Sequence, residues 1–245
     1  MYDFSNILEN DRIKRLKQQL AIIGKNHIHA ASLLDQLAFE YRENGDLESA
    51  VKTITEELDI RKKFEGINTI DYVLGLCNLA TAKKEMECYS ESLLIFDESL
   101  KILDNLKGSN DLEYALILNN MGTVYSKLNQ YSDAKKCYET ALRYYQTTPE
   151  RDLEEYVLCI FNLATINFND QDFESAKKLF DDILNYRNVL GTYHELIADT
   201  HYFLAEYHRY FGDLKNAHLH AEESCDIYRY IRGDNHPDYA DSLNK

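Results

Sequence analysis

The chain predicts an all-α fold, an α-solenoid of stacked antiparallel helix pairs, on three observations. First, Leu37-Ala38, Leu79-Ala80, Met121-Gly122 and Leu163-Ala164 recur at intervals of 42, and Leu204-Ala205 follows after 41. A fixed period in this range marks an array of supersecondary units rather than one globular core. Second, 245 residues contain only 2 Pro and 9 Gly, so helix breakers are scarce. Third, small and large apolar positions alternate in the same register, as a core built by stacking requires.

The unit is clearest between Ala115 and Tyr145. Ile117, Leu118, Met121, Gly122, Val124 and Tyr125 recur at helical spacing, Asn129-Gln130 interrupt the pattern, and Tyr131 opens a second helix. Ala134, Cys137, Tyr138, Ala141 and Leu142 mark that helix's inner face. Residues 1–30 are expected to form an N-terminal helix, a half-repeat or cap, because Asn10 to Ile23 align with a second helix. Full units then occupy 31–72, 73–114, 115–156, 157–197 and 198–239. Residues 240–245, within the pattern opened at Asp238, read as the start of a truncated further unit. The chain is therefore expected to be a segment of a longer protein.

Close approach of the two helices is assigned to two small columns. One is Ala38, Ala80, Gly122, Ala164 and Ala205; the facing one is Ala50, Ser92, Ala134, Ala176 and Ala217. Bulk fills the space beside them. Leu47, Tyr89, Tyr131, Phe173 and Leu214 form one large column, and Ile54, Phe96, Tyr138 and Phe180 the next. Leu58, Leu100, Leu142 and Leu184 are expected to close each second helix against the following unit.

These columns resemble the tetratricopeptide repeat over nearly the whole chain, with units of 42 residues in place of the usual 34. The longer form looks like the kinesin light chain type. Gly233-Asp234-Asn235-His236-Pro237-Asp238-Tyr239-Ala240-Asp241-Ser242-Leu243 is similar to that type's G-x-x-H-P-x-x-A-x-x-L connection, echoed by Gly24, His27 and Ala31. The resemblance implies a right-handed superhelix whose first helices line a concave groove.

On the first helices one polar column stands out: Asn78, Asn120 and Asn162, preceded by Gln36. Asn is a mediocre helix former, but its amide both donates and accepts hydrogen bonds and can meet a peptide backbone of any sequence. The resemblance implies the same use, since Asn in this column of tetratricopeptide grooves commonly holds the ligand backbone. A bond between neighbouring helices is the plainer use of the same residues. Asn119, Thr81, Thr123 and Thr165 are expected to continue a polar floor. Arg42, Lys83, Lys84, Lys127 and Arg209 near the ends of first helices would favour an acidic segment, unless they pair with Glu43, Glu85 or Glu87. In the fifth unit Phe203 takes the Asn position, either as an anchor for an apolar ligand side chain or packed on a next unit.

Composition excludes other classes. A formal charge of −15 repels phosphate backbones, and the densest basic cluster, Arg12 to Lys17, reads as a solvated helix face, so nucleic acid is not expected. No apolar run is long enough to insert into a membrane. Five Cys without a C-x-x-C pair fit reduced thiols and a cytoplasmic location. Five of the eight His fall between His194 and His220, yet His201 and His208 are seven apart and no H-E-x-x-H occurs, so no metal or cofactor is expected. Phosphate-loop and nucleophile-elbow motifs are absent, and catalysis is not expected.

The reading that follows is a non-catalytic scaffold of adaptor type, binding an extended protein or peptide segment in a groove. The alternatives are a ligand-sensing regulatory domain of a larger signalling protein, and self-association through an open C-terminal end.

Overall fold

The structure, a computed structural model, describes residues 4–106, 111–148 and 152–233, with side chains from residue 11 onward. Most of the expected connection after Gly233, including His236 and Pro237, and the further helix at 238–245 lie outside the described residues. The described residues contain α-helices and no strand: α1 (Phe4–Ile23), α2 (His29–Glu43), α3 (Leu47–Phe64), α4 (Ile70–Glu85), α5 (Tyr89–Asn105), α6 (Asp111–Lys127), α7 (Tyr131–Thr147), α8 (Leu153–Asn169), α9 (Phe173–Leu184), α10 (Arg187–Leu190), α11 (Glu195–Tyr210) and α12 (Leu214–Arg232). None is long and apolar enough to cross a membrane. The chain divides into two compact units at Val124 and Tyr125, inside α6.

In the first unit α1 packs on α2, α2 on α3, α3 on α4 and α4 on α5. In the second, α7 packs on α8, α8 on α9, α11 on α12, and α9 and α8 on α11. The small columns behave as their size requires except at Ala217, which is only half-buried. Ala38, Ala80, Ala164, Ala50, Ser92, Ala134 and Ala176 are all buried, and the Ser92 hydroxyl donates to the Ala80 carbonyl at 2.7 Å. A side chain of α5 therefore touches the backbone of α4, which a larger residue at either position would prevent. Ile54, Phe96, Tyr138 and Phe180 are among the largest fully buried side chains. Leu58 and Leu142 are buried as expected; Leu100 and Leu184 are only half-buried, and Ser99 and Ile183 beside them take the interior.

The turn between the two helices of each pair is one backbone solution used five times among the described residues. Gly45, Glu87, Asn129, Gln171 and Gly212 all have positive φ, between 58° and 77°. The next residue closes the turn by donating to the carbonyl five positions back: Asp46 to Tyr41, Cys88 to Lys83, Gln130 to Tyr125, Asp172 to Asn167 and Asp213 to His208, all at 2.8–2.9 Å. This is the 6→1 bond of a helix C-terminal motif with a left-handed residue. Glycine takes that conformation without strain, whereas Glu87 and Gln171 take it at a cost. The residue making the 6→1 bond also begins the second helix. Asp46, Asp172 and Asp213 cap it by accepting from the N–H of Ser49, Ser175 and Asn216. Those bonds hold all three carboxyls below the usual range. Cys88 and Gln130 occupy the same position without a side-chain cap.

The α3–α4 contact contains a buried charge. Gly75 of α4 faces Glu57, and a Cβ on it would stand 2.7 Å from Glu57 Oε2 and 2.8 Å from Leu58 Cδ2. Glu57 is 1% exposed and accepts from the Arg61 guanidinium, which also reaches Asp71 at 3.1 Å. Burial pushes the Glu57 carboxyl up to about 7, against the pull of Arg61. A carboxyl raised on folding stabilises below its unfolded value and loses that contribution as pH rises through the folded one.

The buried thiols follow the sequence reading. Cys77, Cys159 and Cys225 are buried thiols, and burial pushes the Cys77 thiol up to about 12 and raises that of Cys159.

Relief of the strained turns has a measurable consequence. Glu87→Gly and Gln171→Gly should each stabilise by up to about 1 kcal/mol, and Cys88→Asp by about 0.5–1 kcal/mol through a new cap. Melting followed by far-UV circular dichroism should rise for each; three variants that melt at or below the wild-type temperature would contradict the turn analysis.

Candidate functional site

The first helices of the first unit present the residue pattern expected of a binding face. On α2, Gln36, Phe39 and Arg42 follow one another at three-residue spacing, and on α4 Asn78, Thr81 and Lys84 do the same. Arg12, Asp35, Gln36, Phe39, Arg42 and Asn78, over Ala38 and Ile54, line an open cleft of about 190 Å³. Gln36 is exposed and Asn78 half-buried.

Polar side chains along this face are tied to each other. The Asn78 amide donates to Asp35 Oδ1 at 2.9 Å. Asn120 donates to the Leu116 carbonyl at 3.1 Å and accepts from Lys84 Nζ at 3.3 Å. Thr81 and Thr123 donate their hydroxyls to the Cys77 and Asn119 carbonyls of their own helices. In the second unit Thr165 does so to Asn162. The threonines thus present methyls and oxygen lone pairs outward, with their protons already used. Asn78 and Asn120 keep further amide capacity, because a carboxamide offers two donors and an acceptor.

Asn119 departs from its expected place. It is 3% exposed, buried in the helix packing and no part of the floor. Asn119 and Asn120 are neighbours in sequence and lie about 100° apart around a helix, so only one can share the face of Asn78.

Most of the cations are engaged within the chain. Arg42 makes a two-pronged pair with Glu85, at 3.1 and 2.6 Å. Lys83 pairs with Glu91 at 2.7 Å and Arg209 with Glu206 at 2.6 Å. Arg12 sits 2.9 Å from the buried Glu40 while its own side chain is 62% exposed. Lys127 is exposed on the last turn of α6.

Phe203 sits among aromatic rings of the second unit. Its ring stacks on Phe180 at 5.3 Å and meets Phe161 and Phe168 edge-on at 5.7 and 5.5 Å. It therefore packs back on α8 and α9. The signal was present in the sequence: Phe161 and Phe168 are seven apart, as are Phe173 and Phe180, so each pair lies on one helix face. Beyond this cluster, Phe168, Asn169, Phe173, Glu206, Arg209 and Tyr210 line a second cleft. Tyr210 and Phe211 stay 65% and 58% exposed.

Sequence reasoning missed Phe39. It stands in the column of Thr81, Thr123 and Thr165, yet it is a large apolar side chain left 51% exposed at the cleft in the first unit. Alignment of the threonine column one period earlier would have shown it.

The described residues hold no group of three or more His, Cys, Asp or Glu side chains placed to bind a metal.

A family model described as tetratricopeptide repeat matches residues 72–147 and 156–229, more than half of the chain. Among solved structures the chain is similar to BtubC (BKLC) from P. vanneervenii, with 17% identity, 94% of this chain and 92% of that one covered, and a TM-score of 0.72. It is also similar to a Podospora anserina putative kinesin light chain of nearly identical repeats, with 16% identity, 85% and 99% covered, and a TM-score of 0.67. A Rap protein complexed with competence and sporulation factor matches with 16% identity, 94% and 73% covered, and a TM-score of 0.63. No curated protein sequence matches.

A structural role for Phe203 has its own signature. Phe203→Ala should cost about 3–5 kcal/mol of stability and lower the urea midpoint of the second unit's unfolding. A variant as stable as wild type would return Phe203 to the role of ligand anchor.

Proposed function

The chain belongs to the tetratricopeptide repeat family, and on that premise we propose that it is a non-catalytic scaffold that binds an extended segment of a partner protein along its first-helix faces. The observation that carries this reading is the amide column. Asn78 and Asn120 stand half-buried on first helices beside threonines whose hydroxyl protons are used internally, and Asn162 holds the same register in the second unit. Side chains in such a row can bond to a peptide backbone without reading its sequence.

Affinity in this reading comes from backbone bonds and from apolar contact with Phe39, more than from charge. The pairs Arg42–Glu85, Lys83–Glu91 and Arg209–Glu206 spend the cations that would draw an acidic segment. Lys127, exposed on the last turn of α6, is the position from which an acidic residue of the partner would gain most. Reduced thiols fit work in the cytoplasm.

Capture of partners from native lysate, read by mass spectrometry, tests the proposal. Wild type runs beside the Asn78→Ala/Asn120→Ala/Asn162→Ala variant, with helicity checked by circular dichroism. Each lost amide bond is worth about 0.5–1.5 kcal/mol, so three should weaken capture by about tenfold or more while helicity holds. A partner retained equally by both proteins would place binding elsewhere.

A further inference from the structure

His201 of α11 and His220 of α12 face each other across the last described helix pair, with Nδ1 to Nδ1 at 2.9 Å. His201 is buried, and its Nε2 is enclosed with no hydrogen-bond partner. His220 is half-buried and stacked on His208, with ring centres 5.4 Å apart and planes 10° from parallel. Neither nitrogen pair belongs to the binding face proposed above.

Two neutral imidazoles can share this contact in one low-cost way. An enclosed N–H without an acceptor is costlier than an enclosed lone pair, so His201 carries its proton on Nδ1 and donates it to His220 Nδ1. His220 then holds its own proton on Nε2. A second proton has two landing places. On His201 it would go to the enclosed Nε2 and create an imidazolium with no partner. On His220 it would go to Nδ1, remove the acceptor and set two N–H groups against each other at 2.9 Å. The first strands a charge inside the helix packing and the second destroys the bond between the helices, so each disfavours the closed helix pair.

We propose that His201 and His220 form a proton-operated latch, holding α11 against α12 at neutral pH and releasing that helix pair on acidification.

The surrounding charges leave the latch biased toward its neutral form. Asp181 of α9 and Glu223 of α12 favour a charged imidazole; Lys177 of α9, Arg187 of α10 and His208 of α11 oppose it. Burial outweighs them, holding His201 down at about 4 and His220 below its ordinary value. A base whose folded value is depressed binds its proton first in the unfolded chain. Its contribution is therefore complete above the unfolded value near 6.5 and shrinks as pH falls toward the folded one. Glu57 in the first unit runs oppositely between about 4.5 and about 7, so whole-chain melting mixes two effects and a local readout is needed.

Hydrogen exchange of the full chain, read by peptide mass spectrometry at pH 7.5 and pH 5.5 with intrinsic rates corrected, gives that readout. Peptides from α11 and α12 should lose protection by about tenfold or more at pH 5.5, tenfold being one unit of pKa difference, while peptides from α2 and α3 should not. His201→Phe, which keeps bulk and removes the buried base, should abolish most of the loss; His220→Gln, which keeps an acceptor for His201 without titrating, should diminish it. Wild-type protection that is equal at both pH values overturns the latch, as does an undiminished loss in both variants. Should His220→Gln be unfolded at pH 7.5, the wild-type comparison and His201→Phe decide the matter.

Discussion

The hydroxyl of Ser92 reaches the Ala80 carbonyl because both helices carry small residues where they meet. That contact is the local form of a constraint met again at Ala38 and Ala50, and at Ala164 and Ala176, all buried. With backbones so close, large residues can only fill the spaces beside the crossing, which is where Ile54, Phe96 and Phe180 lie. The turn must then reverse the chain in very few residues. The left-handed position with its 6→1 bond achieves this in each described pair, even where Glu87 or Gln171 must adopt a conformation better suited to glycine. Each first helix is thereby fixed in rotation, and the outward direction of Gln36, Asn78 and Thr81 follows from the packing beneath them.

The architecture was legible because spacing encodes it. A period of 42 gives the helix pairs, and the identity of small residues gives their crossing. The polar chemistry was less legible. Asn119 and Asn120 look alike in a sequence, and only the helix rotation separates the buried one from the half-buried one. Phe203 read as either a ligand anchor or a contact for a next unit because a column was followed along the repeats, whereas the ring contacts described for it come from α8 and α9. Phe39 was invisible for the converse reason: it breaks a threonine column at its first position. The buried Glu57 opposite Gly75 had no sequence signal, since a glycine in a helix and a glutamate on another do not announce that they touch.

Charge has a different role from the one composition suggests. A net −15 with a few basic positions reads as an invitation to an acidic partner. In the structure those cations neutralise nearby carboxylates, Arg42 with Glu85 and Lys83 with Glu91. Surface pairs of this kind add little stability, but they remove free charge from the first-helix faces. The first-helix faces of the first unit then carry mainly amides, threonine hydroxyls and methyls, and the exposed Phe39. The titratable groups that matter energetically lie instead inside the helix packing, Glu57 between α3 and α4 and the imidazoles between α11 and α12.

The small-residue crossing is open to direct measurement in the second unit. Thermal melting of Ala164→Leu, with Lys178→Leu as the exposed control, compares one added side chain at the crossing with one in solvent. Overpacking costs about 1–3 kcal/mol, so Ala164→Leu should melt several degrees below wild type and Lys178→Leu within about a degree of it. An Ala164→Leu protein that melts at the wild-type temperature would show that the helices do not depend on close approach at this column.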